Sequence, residues 1–256
     1  MSKVVVITGA SSGIGEGLAA LYAKEGYSLG LLARRESLLY SLKTHLEETY
    51  ETKIMIKACD VSNRHDVFEG IASFIAHFGR IDMLIANAGV SLASPAFDPN
   101  IDHFEQTIKT NVLGSGYSAY AVIPKMIEQR FGHIVVISSL AGYRGLPESG
   151  AYCSSKAAVN TFFESMRLDL KEYNIDVSII RPGYIKSPMT DKNTFFMPFL
   201  QSSDVGVKKI FKSIERKQKV FSFPWPLAKV VQTLYFWPCW LYDSCLRSLN
   251  KRVQQN

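Results

Sequence analysis

The sequence predicts an α/β fold: a doubly wound, seven-stranded parallel sheet flanked by helices, with a helical extension at the C-terminus. Three observations carry that prediction. Seven short runs are rich in Val, Ile and Leu without polar alternation, the mark of strands buried on both faces. Longer segments of helical periodicity separate the runs, and such alternation builds parallel sheets. Two loop-like stretches follow predicted strand ends, where ligands bind in sheets of this kind.

The elements follow in order. Strand 3–8 runs into a glycine-rich turn and a helix over 14–26. Strand 28–33, helix 36–50, strand 53–59 and helix 64–78 complete the first half. The second half begins with strand 83–86, the loop 90–100 with Pro95, Pro99 and Asn100, and a helix over 102–130. Pro124 lies inside that helix and should kink it, because proline lacks the N–H that the preceding turn needs. Strand 133–138, helix 151–173, strand 176–181, loop 184–202, helix 203–217 and strand 220–223 finish the sheet. Beyond Pro224, Leu227, Val230, Val231, Leu234 and Tyr235 recur at helical spacing, so an amphipathic helix is expected. Pro238 ends it, and a second short helix should follow.

Composition narrows the function classes. Of 256 residues, 47% are hydrophobic and 20% charged, ordinary values for a chain with a sizeable core. The net charge of +6 comes without a run of five like charges, so no nucleic-acid partner is expected. Cys59, Cys153, Cys239 and Cys245 form no CxxC pair and no cysteine–histidine cluster, so no metal is expected. Four reduced thiols fit a cytoplasmic protein. The first apolar run is too short to span a bilayer and leaves no room for a signal peptide ahead of it.

The first turn carries chemistry. Thr8-Gly9-Ala10-Ser11-Ser12-Gly13-Ile14-Gly15 links the first strand to the first helix. Glycines there let the backbone approach a pyrophosphate, and the helix start offers free N–H groups to its charge. A plain strand–helix connection could also use three glycines, so the strand–loop–helix context decides the weighting. Further on, Tyr152 and Lys156 lie four residues apart at a predicted helix start and share one face. A free phenol has a pKa near 10, and a neighbouring ammonium favours the phenolate. That would suit Tyr152 to acid/base work. Ser139 ends the fifth strand, where its hydroxyl can hold a substrate oxygen against Tyr152. Ser138 should point the other way, by strand alternation. Cys153 has no base partner, and His133 opens a strand, so both read as structural.

These residues together resemble the short-chain dehydrogenase/reductase family, in its compact single-domain branch with a Rossmann-type sheet. The resemblance covers roughly residues 3–190. The motif Thr-Gly-x-x-x-Gly-x-Gly stands intact at Thr8–Gly15, and Asn87-Ala88-Gly89 matches the family's Asn-Ala-Gly, with Ala86 where an asparagine is usual. The resemblance implies catalytic roles for Asn111, Ser139, Tyr152 and Lys156. Asn111 would steady a water linked to the lysine, although it could equally bond to backbone within a kinked helix. Coenzyme contacts are implied for Gly9, Ser11, Ser12, Gly13, Ile14, Gly15, Asp60, Val61, Asn87, Ala88, Gly89, Tyr152, Lys156, Pro182, Gly183 and Ile185.

Coenzyme choice follows from charge. Ala33 stands at the second strand's end, where an acid would bind a ribose 2′-hydroxyl, and Arg34 and Arg35 follow. Guanidinium suits a 2′-phosphate, so NADP(H) is expected over NAD(H). The opposing possibility is that the arginines start a solvated helix and Glu36 binds the ribose. The expected activity interconverts a ketone or aldehyde and an alcohol. Tyr184, Met189, Phe195, Phe196, Met197 and Phe199 in the 184–202 loop suit a bulky apolar substrate, if they do not pack inward as core.

Residues 1–223 are expected to form the catalytic and dinucleotide-binding domain, and 224–256 an extension packed on it or at an interface. Trp225, Tyr235, Trp237, Trp240 and Tyr242, with Lys229, Arg247, Lys251 and Arg252, leave three roles open for 224–249: peripheral membrane contact, dimer interface or cleft flap. A homodimer is expected, a tetramer being the other assembly, through the helices of 102–130 and 151–173. Two other functions stay open: a coenzyme-binding sensor or scaffold without turnover, and an NAD-dependent alcohol dehydrogenase.

Overall fold

The computed structural model describes residues 2–193 and 195–253, with side chains described through Leu246. Arg247, Lys251 and Arg252, named above for the tail, therefore lie outside the described side chains. Seven parallel strands form one sheet in the order β3-β2-β1-β4-β5-β6-β7. They are β1 (Val4–Thr8), β2 (Ser28–Ala33), β3 (Ile54–Ala58), β4 (Met83–Ala86), β5 (Gly132–Ile137), β6 (Ile175–Pro182) and β7 (Val220–Phe223). The order reverses between β1 and β4, which register as Val5 on Met83 and Ile7 on Ile85. The loops after these two strands therefore diverge and leave a crevice at the strands' carboxyl ends.

Strand alternation divides the core into two layers. Val5 and Ile7 face α1 (Gly13–Lys24), α2 (Glu36–Thr49) and α7 (Ser203–Glu215), through Leu18, Tyr22, Leu39, Ile210 and Ile214. Val6 faces the other way, toward α3 (Arg64–Phe78), α5 (Gly114–Gln129) and α6 (Gly150–Asp169), through Ile71, Phe74, Val122 and Phe163. This two-sided burial is why the inner strands read as unbroken apolar runs.

The 102–130 helix departs from expectation. The structure has α4 (Ile101–Ile108), one wide π turn at Lys109–Leu113, then α5. Helical hydrogen bonding changes at that turn, while α5 runs on through Pro124. Directly after the turn the backbone packs on the loop after β3: a Cβ on Gly114 would lie 2.8 Å from the Val61 side chain. Insertions of this kind recur at functional sites, and this one carries Asn111.

Past β7, α8 (Trp225–Tyr235) and α9 (Cys239–Val253) form the extension, broken at Pro238 as expected. No helix among the described residues is long and apolar enough to cross a membrane. All four cysteines are free thiols, with Cys59 and Cys153 buried.

Candidate active site

The glycine turn is shaped by its neighbours. Gly9 has φ +65°, and a Cβ there would lie 2.8 Å from the Ala88 backbone. The loop thus sits hard against the segment after β4, which is tied down by four bonds. Asn87 N–H and Ala88 N–H both donate to Thr8 Oγ1 at 3.0 Å, and Asn87 Nδ2 donates to the Thr8 carbonyl at 2.9 Å and the Gly9 carbonyl at 3.2 Å. At the start of α1, Ser12 occupies the capping position without a side-chain cap bond. The first amides of the helix are left for an anionic group, and Gly15 could not carry a side chain without striking the Gly9 carbonyl. These features fit a pyrophosphate.

Around this turn stand the expected coenzyme residues. Arg35 Nη2 donates to Ser11 Oγ at 2.9 Å and Ser12 Oγ at 2.6 Å, placing a guanidinium over the turn. Arg34 lies 3.9 Å from Asp60, and both are largely exposed. Asp60 Oδ1 also accepts from the N–H and hydroxyl of Ser62. Val61 is buried against Gly114. Gly183 N–H donates to the Phe223 carbonyl at 2.7 Å, fixing the Pro182-Gly183 turn. Ile185 buries its side chain in the core beside Gly206, and its carbonyl accepts from Thr190 Oγ1 at 2.8 Å.

The catalytic candidates converge from three elements. Tyr152 and Lys156 lie in the first two turns of α6, and Ser139 caps a short 3₁₀ turn (Leu140–Gly142) after β5. Ser139 Oγ accepts from Ala141 N–H at 3.1 Å. Its hydroxyl faces the Tyr152 phenol and favours the ionised form. Ser138 points into the core and donates to the Lys156 carbonyl at 3.3 Å, as alternation predicted.

Lys156 behaves differently from expectation. Burial pushes the Tyr152 phenol up to about 12, and Ser139 is the group that opposes the rise. The Lys156 ammonium stands 5.7 Å from the Tyr152 ring centre and donates to the Ile137 carbonyl at 2.9 Å. Burial lowers its own pKa to about 8. In the chain alone, desolvation outweighs the charge effect inferred from spacing. Tyr152 is a proton-bearing phenol at neutral pH.

Asn111 is fully buried in the π turn. Its Oδ1 accepts from Val90 N–H at 2.8 Å, and its Nδ2 donates to the Val90 carbonyl and to Ser155 Oγ, both at 2.9 Å. The side chain is committed to backbone and to α6, and it lies beside Gly89 together with the Lys156 ammonium. His133 is buried against Ser178 at 2.8 Å, and burial lowers its pKa to about 4.

Two residues near the site drew no role there from the sequence. Tyr184 was read only as an apolar lid residue, yet it lies within electrostatic reach of the Tyr152 phenol. Its position directly after Pro182-Gly183 was the available signal. Ser155 bonds to Asn111 and was given no role, because nothing in its spacing singles it out.

Known proteins resemble this chain along most of its length. A family model described as short chain dehydrogenase matches residues 3–195. An uncharacterized oxidoreductase of Myxococcus xanthus is 37% identical over 247 residues, covering 96% of this chain and 97% of the relative. An uncharacterized oxidoreductase of Mycobacterium tuberculosis is 34% identical over 91% of this chain and 93% of its own length. Among solved structures, an alcohol dehydrogenase from the archaeon Thermococcus sibiricus, complexed with 5-hydroxy-NADP, is 25% identical with a TM-score of 0.79, covering 87% of this chain and 95% of that one. A short chain dehydrogenase/reductase from Burkholderia phymatum in complex with NAD shares the fold, with a TM-score of 0.81 at 23% identity over 90% of this chain and 92% of that one.

Proposed function

The chain belongs to the short-chain dehydrogenase family of oxidoreductases, and on that premise we propose that it interconverts a ketone or aldehyde with an alcohol, using NADP(H). The observation that carries the reading is the packing of the turn that Ser139 caps, after β5, against the start of α6, where Tyr152 and Lys156 lie one helical turn apart.

NADP(H), when bound, supplies or accepts the hydride. Gly9, Gly13, Gly15 and the uncapped start of α1 would hold its pyrophosphate. Arg35, with Arg34 beside it, would take the 2′-phosphate. Of the two solved structures, the archaeal one holds 5-hydroxy-NADP and the Burkholderia phymatum one NAD, so the two arginines carry this choice. Ser139 Oγ donates to the substrate oxygen and sets its distance from Tyr152. In reduction, Tyr152 Oη gives its proton to that oxygen. Its high pKa keeps the proton in place until the oxygen gains negative charge. Lys156, which donates to the Ile137 carbonyl in the chain alone, would hold the nicotinamide-side ribose, and its ammonium would ease formation of the phenolate. Asn111 holds Val90 and Ser155 and so braces the floor beneath Lys156.

Substrate size and assembly follow from surface chemistry. The 184–202 loop exposes Met189, Phe195, Phe196 and Phe199, which supports a bulky apolar substrate. Tyr120 and Leu168 are exposed on α5 and α6 and suit a homodimer contact. The extension exposes Phe236 at 83% and Trp240 at 71%, and these rings favour peripheral membrane contact as a second role for it. The function is tested by following NADPH consumption across a panel of ketones and aldehydes of rising apolar size. Turnover that improves with size is expected. Tight NADPH binding without turnover of any member would overturn the reading in favour of a sensor.

A further inference from the structure

Tyr143, Arg144 and Gly145 lie midway along the segment that joins Ser139 to Tyr152, and all three reach into the C-terminal extension. Arg144 Nη1 donates to the carbonyls of Leu234 at 2.7 Å and Trp237 at 2.8 Å. These carbonyls lie at the end of α8 and in the turn after it, where helical partners run out. The Arg144 guanidinium also stacks 3.9 Å from the centre of the Tyr242 ring. Tyr242 in turn donates from Oη to the Gly145 carbonyl at 2.5 Å. Within the extension, Pro224, Ala228 and Tyr242 are the buried ones among the described residues, and of these only Tyr242 belongs to α9. Tyr242 is thus the point where α9 is seated.

The neighbouring bonds tighten the same joint. Tyr143 Oη accepts from Gln232 Nε2 of α8 at 3.1 Å and from Arg181 Nη1 at 2.9 Å. Arg181 Nε donates to Asn160 Oδ1 at 3.1 Å, one helical turn beyond Lys156. On the facing side, Leu227 and Pro224 of the extension press on Gly183. The extension therefore touches both the Ser139–Tyr152 segment and the Pro182-Gly183 turn.

We propose that Arg144 is a positioning residue for the reaction. Capping α8 and stacking on Tyr242 orient its planar fork from two sides, so the main chain of 140–151 is held wherever the extension sits. Ser139 and Tyr152 flank that segment, and their separation is set by it. The extension is then one wall of the substrate cleft. The catalytic consequence rests on the proposed function; the fastening does not.

The test uses full-length Arg144→Met, Arg144→Lys and Tyr242→Phe, with Lys229→Ala on the exposed side of α8 as control. Arg144→Met should lower kcat/KM for the carbonyl substrate about tenfold or more, chiefly through kcat, because a small loss of alignment is costly in the reacting geometry. Its NADPH Kd should stay within about twofold of wild type, the dinucleotide loop being elsewhere. Amide exchange over 140–151 should accelerate. Arg144→Lys, which keeps one donor, should recover part of the loss, and Tyr242→Phe should lose less than Arg144→Met. Unchanged kcat/KM with unchanged exchange would overturn the proposal, as would NADPH affinity falling in step with turnover. If the wild-type protein turns over no carbonyl or alcohol, the proposed function fails, and exchange decides the fastening. Faster exchange in Arg144→Met then supports it, and unchanged exchange overturns it.

Discussion

Replacing Lys156 by methionine should stabilise the folded chain at neutral pH while abolishing turnover. Burial lowers the Lys156 pKa from 10.5 to about 8. At about 1.4 kcal/mol per pKa unit, holding the ammonium in place costs about 3 kcal/mol near pH 7. The residue is 5% exposed, so solvent relieves little of this. Methionine also forfeits the bond to the Ile137 carbonyl, a loss of about 1–2 kcal/mol. The net gain is about 1–2 kcal/mol, a rise in Tm of roughly 2–8 °C for a chain of this length. The pH dependence identifies the cause. Below the folded pKa of about 8 the lysine is charged in both states, and the full cost applies. Between that value and 10.5 the unfolded chain binds more protons than the folded one, so wild-type stability rises with pH relative to the variant. Above 10.5 the cost is gone. Thermal melts of both proteins from about pH 7 to about pH 10 should therefore show the gap at its widest near neutrality and closing with pH. A variant less stable than wild type near neutrality, or a gap indifferent to pH, would refute the reasoning.

Three further outcomes are expected. Arg35→Ala should raise the KM for NADPH about tenfold or more and leave that for NADH nearly unchanged, since one charge-assisted phosphate bond is worth about 1.5–3 kcal/mol; equal effects on both coenzymes would assign Arg35 to loop structure alone. Asn111→Ala should destabilise the fold by about 2–4 kcal/mol, a fall in Tm of roughly 5–15 °C, because the Val90 N–H and carbonyl lose their partner. A normal melt with lost turnover would instead mean that Asn111 acts through water. Phe236→Ser with Trp240→Ser should reduce co-sedimentation with vesicles of anionic lipid, and equal pelleting by wild type and variant would remove membrane contact.

The inner strands were legible because they are buried on two faces, and two-sided burial writes itself as an unbroken apolar run; β3 and β7, at the sheet edges, are partly exposed. The glycine turn, Ser139, Tyr152 and Lys156 were legible because backbone approach and proton transfer demand particular residue types at fixed spacing. The π turn was not. It ends where Gly114 meets Val61, 53 residues earlier in the chain, a contact that leaves no periodic trace, and Pro124 lies further along, inside α5. The Tyr152 pKa was misread because sequence spacing counts neighbouring charges and says nothing about desolvation, which here dominates. Arg144 stayed silent for a related reason: its partners, Leu234, Trp237 and Tyr242, sit about 90–98 residues away and include backbone carbonyls, which every residue carries.

The most direct test of the central claim is Tyr152→Phe in single-turnover reduction with NADPH. Removing one hydroxyl leaves the ring, the Ser139 hydroxyl and the dinucleotide loop in place. The expected result is unchanged folding and NADPH affinity with hydride transfer slowed by about 10²-fold or more, the usual worth of a positioned proton donor. Hydride transfer at the wild-type rate would contradict the assignment of Tyr152 as the group that gives the proton.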